Sequence, residues 1–121
     1  MEKKLDKALD EASHKVGVAL DQTQGSSADL EMDMRLAAEA VEYSSALFSL
    51  TFGLEDVNPE FKIDKKAEPV ALARSSAELL KKAREIRRAS VVDAYTNLRK
   101  AADFLKTAYL NQAEKTAKST S

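Results

Sequence analysis

Apolar residues recur along this chain at alternating intervals of three and four residues, the spacing that places them on one face of an α-helix. Four such runs can be traced, separated by polar or irregular stretches. They are Leu5–Ala19, Leu30–Phe52, Leu72–Ile86 and Val91–Tyr109. No alternating pattern typical of a β-strand is needed to account for any of them, so the pattern predicts an all-α protein.

Residues that begin or end helices separate the four runs. A serine followed three residues later by an acidic residue has the form of an N-terminal capping box. Glycine is a common C-terminal stop and proline is favoured in the first turn. These signals are Ser26 with Asp29, Gly53, Pro69, and Ser90 with Asp93. They predict an antiparallel four-helix bundle with helices at roughly 2–23, 27–52, 69–88 and 91–115.

The break near Ser90 is the least obvious of these boundaries, because no glycine or proline occurs after Pro69. A single helix from there to the C-terminus would be about 75 Å long. Extending the Leu72 and Leu79 register by heptads, however, brings Asp93 into the core, whereas the apolar residues that follow lie in a different register. We therefore predict a break near 88–90, and the alternative is a three-helix chain whose last helix is one long C-terminal helix.

Composition is that of one folded domain. Of 121 residues, 44% are hydrophobic and 32% charged, which favours a folded chain over a disordered one. We assign residues 1–114 to a single helical domain, with 54–68 as a long loop that packs on it through Val57, Phe61 and Ile63, and 115–121 as a disordered tail. No apolar run reaches the length of a membrane span, the N-terminus lacks a signal-peptide pattern and cysteine is absent. A cytoplasmic protein is expected.

The second predicted helix is apolar on two sides. One side, from Leu30 to Phe52, fits the bundle core, and the opposite side carries a second set of large apolar residues. These are Met32, Leu36, Tyr43, Leu47 and Leu50. A helix that is apolar on both sides is buried on both sides. Either the 54–68 segment covers the second side or a partner does, and we favour a partner: a second copy in a homodimer, or another helical protein.

A metal site on the second helix is an alternative. Glu39-Ala-Val-Glu42 resembles one half of the magnesium site of all-helical nucleoside triphosphate pyrophosphatases, which combine Glu-x-x-Glu with Glu-x-x-Asp on the next helix. This resemblance implies a bundle that binds Mg²⁺ and a nucleotide through Glu39 and Glu42. The second half departs from the family pattern, since the nearest match, Glu60 to Asp64, is one residue longer and lies in the predicted loop.

Nucleic-acid binding through the third helix is a second alternative. Basic residues share one face of that helix, away from its apolar stripe, and could follow a row of phosphates. They are Arg74, Lys81, Arg84 and Arg88. The formal net charge of −1 and the lack of interleaved aromatic residues argue against this use. A solvated face paired with acids is favoured instead.

No known catalytic constellation is present in the sequence. It has no Gly-rich phosphate loop, no nucleophile elbow and no cysteine, and it contains one histidine. The sequence therefore favours a non-enzymatic protein-protein interaction or assembly subunit that needs no cofactor, with magnesium required only under the nucleotide-binding alternative.

Overall fold

The computed structural model describes residues 2–22 and 26–120. Over these ranges the chain forms four helices and no strands: α1 (Glu2–Asp21), α2 (Ser27–Phe52), α3 (Pro69–Ile86) and α4 (Val91–Thr120). The all-α four-helix prediction is confirmed, and the alternative of one long C-terminal helix is wrong. Helix α4 continues to Thr120, so residues 115–120 of the tail predicted to be disordered are helical, while residues 23 and 121 lie outside the described ranges.

Side-chain and glycine caps set the helix boundaries. The backbone N–H of Asp29 donates to Ser26 Oγ at 3.1 Å, and Gly53 ends α2 in the left-handed conformation with φ 66°. Pro69 occupies the first turn of α3. At the break between α3 and α4, the backbone carbonyl of Ser90 accepts from the N–H of Ala94, and Ser90 Oγ accepts from the backbone N–H of Asp93 at 3.4 Å. Helix α3 ends at Ile86, two residues before the predicted boundary.

Helix α1 packs against α2 and α3, and α4 packs against the same two helices. The joint between α1 and α2 is short, so these two helices are antiparallel. Arg87 pairs with Asp6 and Arg84 with Asp10, which makes α3 antiparallel to α1 as well. It follows that α2 and α3 run in the same direction, on opposite corners of the bundle.

This topology explains the long 54–68 segment. Because α2 and α3 are parallel, the chain must travel the length of the bundle between them. It does so beside α4, where Lys100 lies 5.9 Å from the ring centre of Phe61 and Asn111 donates to the carbonyls of Lys65 and Ala67 at 3.0 Å. Val57 and Ile63 are partly buried against the core. The segment covers α4 and leaves the outer side of α2 uncovered.

The core is built from leucine and alanine, with few aromatic rings. The apolar residues that the sequence pattern places on one face of α1 are all buried: Leu5, Leu9, Ala12, Val16 and Ala19. Phe48 of α2 stacks against Tyr95 of α4 with ring centres 6.3 Å apart. Ser76 of α3, which is fully buried, donates to the carbonyl of Ala101 of α4 at 3.0 Å, so its hydroxyl has a partner. Because small residues lie at these contacts, α4 can pack closely against both α2 and α3.

Candidate interaction surface on the second helix

The outward side of α2 carries a regular row of residues that alternates intervals of four and three. We call this row the α2 seam: Met32, Leu36, Glu39, Tyr43, Ala46 and Leu50. At 1.5 Å per residue it is about 27 Å long. Within the seam Met32 is 46% exposed, Tyr43 is 52% exposed and Leu50 is 61% exposed, while Leu36 is half-buried. Large apolar side chains thus meet solvent along most of the helix.

Leu47 does not belong to this surface, contrary to the sequence prediction. It is only 7% exposed and lies in the core of its own chain. The reason is its angular position on the helix. Leu47 shares a flank with Ala40 two turns earlier, and Ala40 lines a shallow depression together with Ala8 and Glu11 of α1. This flank therefore faces α1, and only the more outward positions remain open.

Exposed apolar residues elsewhere do not form a comparable row. Val92 is 48% exposed and Leu110 is 53% exposed, both on α4. They stand about 27 Å apart on that helix, with the charged residues Arg99 and Asp103 between them. Scattered single apolar residues are normal on protein surfaces, whereas a continuous row is not. Among the described residues, the α2 seam is the row with the most exposed large apolar side chains, Met32, Tyr43 and Leu50, and Glu39 is the charged residue within it.

The metal-binding residues proposed as an alternative are both exposed on α2. Glu39 belongs to the seam, whereas Glu42 lines a separate depression toward α4 with Ser45, Arg99 and Asp103. In the described ranges, no group of three or more His, Asp or Glu side chains is arranged to hold a metal ion. The geometry adds no support to the magnesium alternative.

The basic face of α3 is partly occupied by acids of the same chain. Arg74, Lys81 and Arg88 are exposed. Arg84, in contrast, donates to Ser13 Oγ at 3.0 Å and forms an ion pair with Asp10. One of the four residues predicted to contact phosphates is therefore tied to α1.

A neighbouring arginine that the sequence prediction omitted makes a similar contact. Arg87 pairs with Asp6, and its other terminal nitrogen lies 3.3 Å from Glu2. Its side chain is only 11% exposed, whereas the side chains of Glu2 and Asp6 are 62% and 56% exposed, so the guanidinium is shielded from solvent and the two carboxylates are not. The signal in the sequence was the four-residue spacing of Glu2, Asp6 and Asp10, which places three carboxylates on one flank of α1. The pairs hold α1 against α3.

Next to the ion pair of Arg84, a groove of about 490 Å³ lies between α1 and α3. Its floor is formed by Val16, Leu20 and Leu80, and Gly17 lies on its α1 wall. Gly17 has no positive φ, and a Cβ added there would meet no atom within 4 Å. Neither the backbone conformation nor close packing within the chain therefore requires a glycine at position 17.

Replacing Gly17 with alanine is expected to stabilise the protein by up to about 1 kcal/mol, because glycine inside a helix has a lower helix propensity than alanine. The melting temperature should rise by roughly 3–6 °C for a chain of this size. Gly53→Ala is the matched control with the opposite sign, since its φ of 66° disfavours any side chain. Thermal unfolding followed by circular dichroism compares the two, and equal shifts would contradict this reading of Gly17.

Among the described residues, no helix has both the length and the hydrophobicity required to cross a membrane. Comparisons with protein-family models, curated proteins and solved structures find no match to this chain.

Proposed function

We propose that this protein is a small, non-enzymatic assembly subunit that forms a homodimer through the α2 seam. The observation that carries the proposal is the row from Met32 to Leu50 along most of α2, in which Met32, Tyr43 and Leu50 are exposed within the described chain. Exposed apolar rows of this kind are typical of sites where another protein binds, so we infer that a partner covers this one.

The spacing of the seam supports a helical partner. Alternating intervals of four and three keep side chains facing a second helix, and the side chains of one helix then insert between those of the other. A flat or irregular partner would not require this regularity. A second α2 provides a matching row, and symmetric dimers are the commonest soluble oligomers.

The composition of the seam also fits a protein interface. Aromatic residues and methionine are enriched at such interfaces, and Tyr43 and Met32 supply them at the middle and one end of the row. Of the large apolar residues that the structure describes, Leu50 is the most exposed, at 61%. A helix of another protein is the competing occupant of the same seam. A cytoplasmic location remains part of the proposal.

Sedimentation equilibrium of the purified protein from about 1 to 500 µM tests this function. We expect a concentration-dependent rise from the 13.3 kDa monomer to twice that mass. The interface of a single helix pair is small, so a dissociation constant in the micromolar range is expected. A species that remains monomeric at the highest concentration would remove the homodimer and leave another helical protein as the partner to be sought.

A further inference from the structure

We propose that the two copies associate with their α2 helices antiparallel, so that Met32 faces Leu50 of the second copy, Leu36 faces its Ala46, and Glu39 faces its Tyr43. This inference rests on the proposed homodimer and specifies its geometry. A two-fold axis perpendicular to the helices, close to the level of Val41, generates all of these pairs from one register.

The position of Glu39 is the first argument for this orientation. It is the only charged residue in the seam, and it lies near the middle of an otherwise apolar or aromatic row. In a parallel, in-register dimer the two Glu39 carboxylates would face each other as solvent is excluded, and like charges so placed repel. In the antiparallel dimer each carboxylate meets the hydroxyl of Tyr43 from the other copy.

The chemistry of that second pairing is favourable. A tyrosine O–H donates a hydrogen bond and a carboxylate accepts it, and such charge-assisted bonds are shorter and stronger than neutral ones. Glu39 and Tyr43 are both exposed, and within the described part of the chain neither has an ion pair or hydrogen bond of its own. Both groups are therefore available to the second copy, and the two-fold axis makes the bond twice.

Side-chain size is the second argument. The seam contains one small residue, Ala46, and antiparallel pairing sets it against the larger Leu36. Parallel pairing would instead set Ala46 against Ala46 and Tyr43 against Tyr43, leaving a gap beside a crowded contact. Matching large with small residues across an interface fills space without forcing side chains out of their preferred rotamers. Charge and volume thus favour the same orientation.

The cysteine-free sequence allows a direct test by disulfide cross-linking. Met32→Cys and Leu50→Cys variants, distinguishable by mass, are oxidised separately and as a mixture. We expect the mixture to form the mixed disulfide and neither variant to cross-link efficiently to itself. In the antiparallel register the two copies of residue 32 lie about 27 Å apart, far beyond the roughly 7 Å that a disulfide spans between Cα atoms.

Each other outcome has a defined meaning. Efficient self-linking of both variants without the mixed product would establish parallel α2 helices and overturn the inference while leaving the homodimer intact. A dimer in sedimentation that cross-links in no combination would place the interface elsewhere and also overturn it. A monomer in sedimentation would instead refute the proposed function. Val92→Cys, exposed on α4, sets the background of random collision.

A second substitution measures the contribution of Glu39 directly. In the antiparallel dimer Glu39→Gln keeps an acceptor for the Tyr43 hydroxyl but removes the charge assistance from both symmetric hydrogen bonds, so association should weaken by roughly 5- to 50-fold. In a parallel dimer the same change removes a buried repulsion, and association should tighten by more than tenfold. Sedimentation equilibrium of the variant distinguishes these results, and the tighter dimer would overturn the antiparallel arrangement.

Discussion

Replacing Leu47 with glutamate is expected to unfold the bundle or to lower its free energy of unfolding by at least about 4 kcal/mol. The side chain is 7% exposed and lies in the core. The substitution removes a buried leucine, which contributes roughly 1.5–3 kcal/mol by burial alone. It also forces a carboxylate into apolar surroundings, where it must either be desolvated or push the helices apart. Domains of this size are stable by only about 5–15 kcal/mol in total.

Urea denaturation followed by circular dichroism measures this loss. Leu47→Ala is the graded companion variant, because it keeps the site apolar and should lower stability by about 2–4 kcal/mol through the cavity that it leaves. A Leu47→Glu protein that melts cooperatively within about 1 kcal/mol of the wild type would show that Leu47 is not held in the core.

The four helices, and those of their ends that carry a cap, could be predicted because their signals are local. Ser26, Gly53 and Ser90 act through hydrogen bonds or backbone conformations within one turn, and each lies at the boundary that the sequence predicted. The change of apolar register after Ile86 is likewise visible without knowing what the helices pack against. It is also the feature that distinguishes two helices from one long helix.

The arrangement of the helices was not predicted, because it depends on packing between distant segments. The sequence left open whether residues 54–68 cover α2 or another helix. In the structure the segment follows α4, held by Asn111 and by the contact between Phe61 and Lys100. No sequence motif predicts this role of Asn111. Its two carbonyl partners, Lys65 and Ala67, lie 46 and 44 residues away in the sequence and come near its side-chain amide only in the folded chain.

The candidate seam was predicted in part for the same reason. Met32, Tyr43 and Leu50 lie opposite the core stripe and stay exposed whichever helix packs on either flank. Leu47 lies on a flank, about 100° around the helix from Phe48, so its burial depends on where α1 is placed. A wheel diagram assigns faces correctly at the centre of a stripe and is ambiguous at its edges. Because α1 packs on the flank of α2 that carries Leu47, this side chain is buried.

Replacing Leu50 with glutamate, three residues from Leu47, is expected to have a different effect: the dimer should dissociate and the subunit should remain folded. Leu50 is 61% exposed in the isolated chain, so a charge there is solvated and the helix tolerates it. In the proposed dimer the carboxylate would be buried against Met32 of the second copy, at both ends of the two-fold interface. A carboxylate buried there without a partner costs at least about 1.4 kcal/mol, and the two symmetric sites raise the expected loss to at least about 100-fold in the dissociation constant.

Leu110→Glu is the matched control, since Leu110 is a similarly exposed leucine, at 53%, on α4. Sedimentation equilibrium should show that Leu110→Glu dimerises like the wild type while Leu50→Glu is monomeric, and thermal unfolding extrapolated to low concentration should be the same for all three proteins. Equal weakening by both variants would indicate a general effect of added negative charge on an already acidic chain. Loss of the fold in Leu50→Glu alone would mean that α2 needs its outer row for the stability of the monomer, because the exposed leucine would then contribute to folding rather than to association.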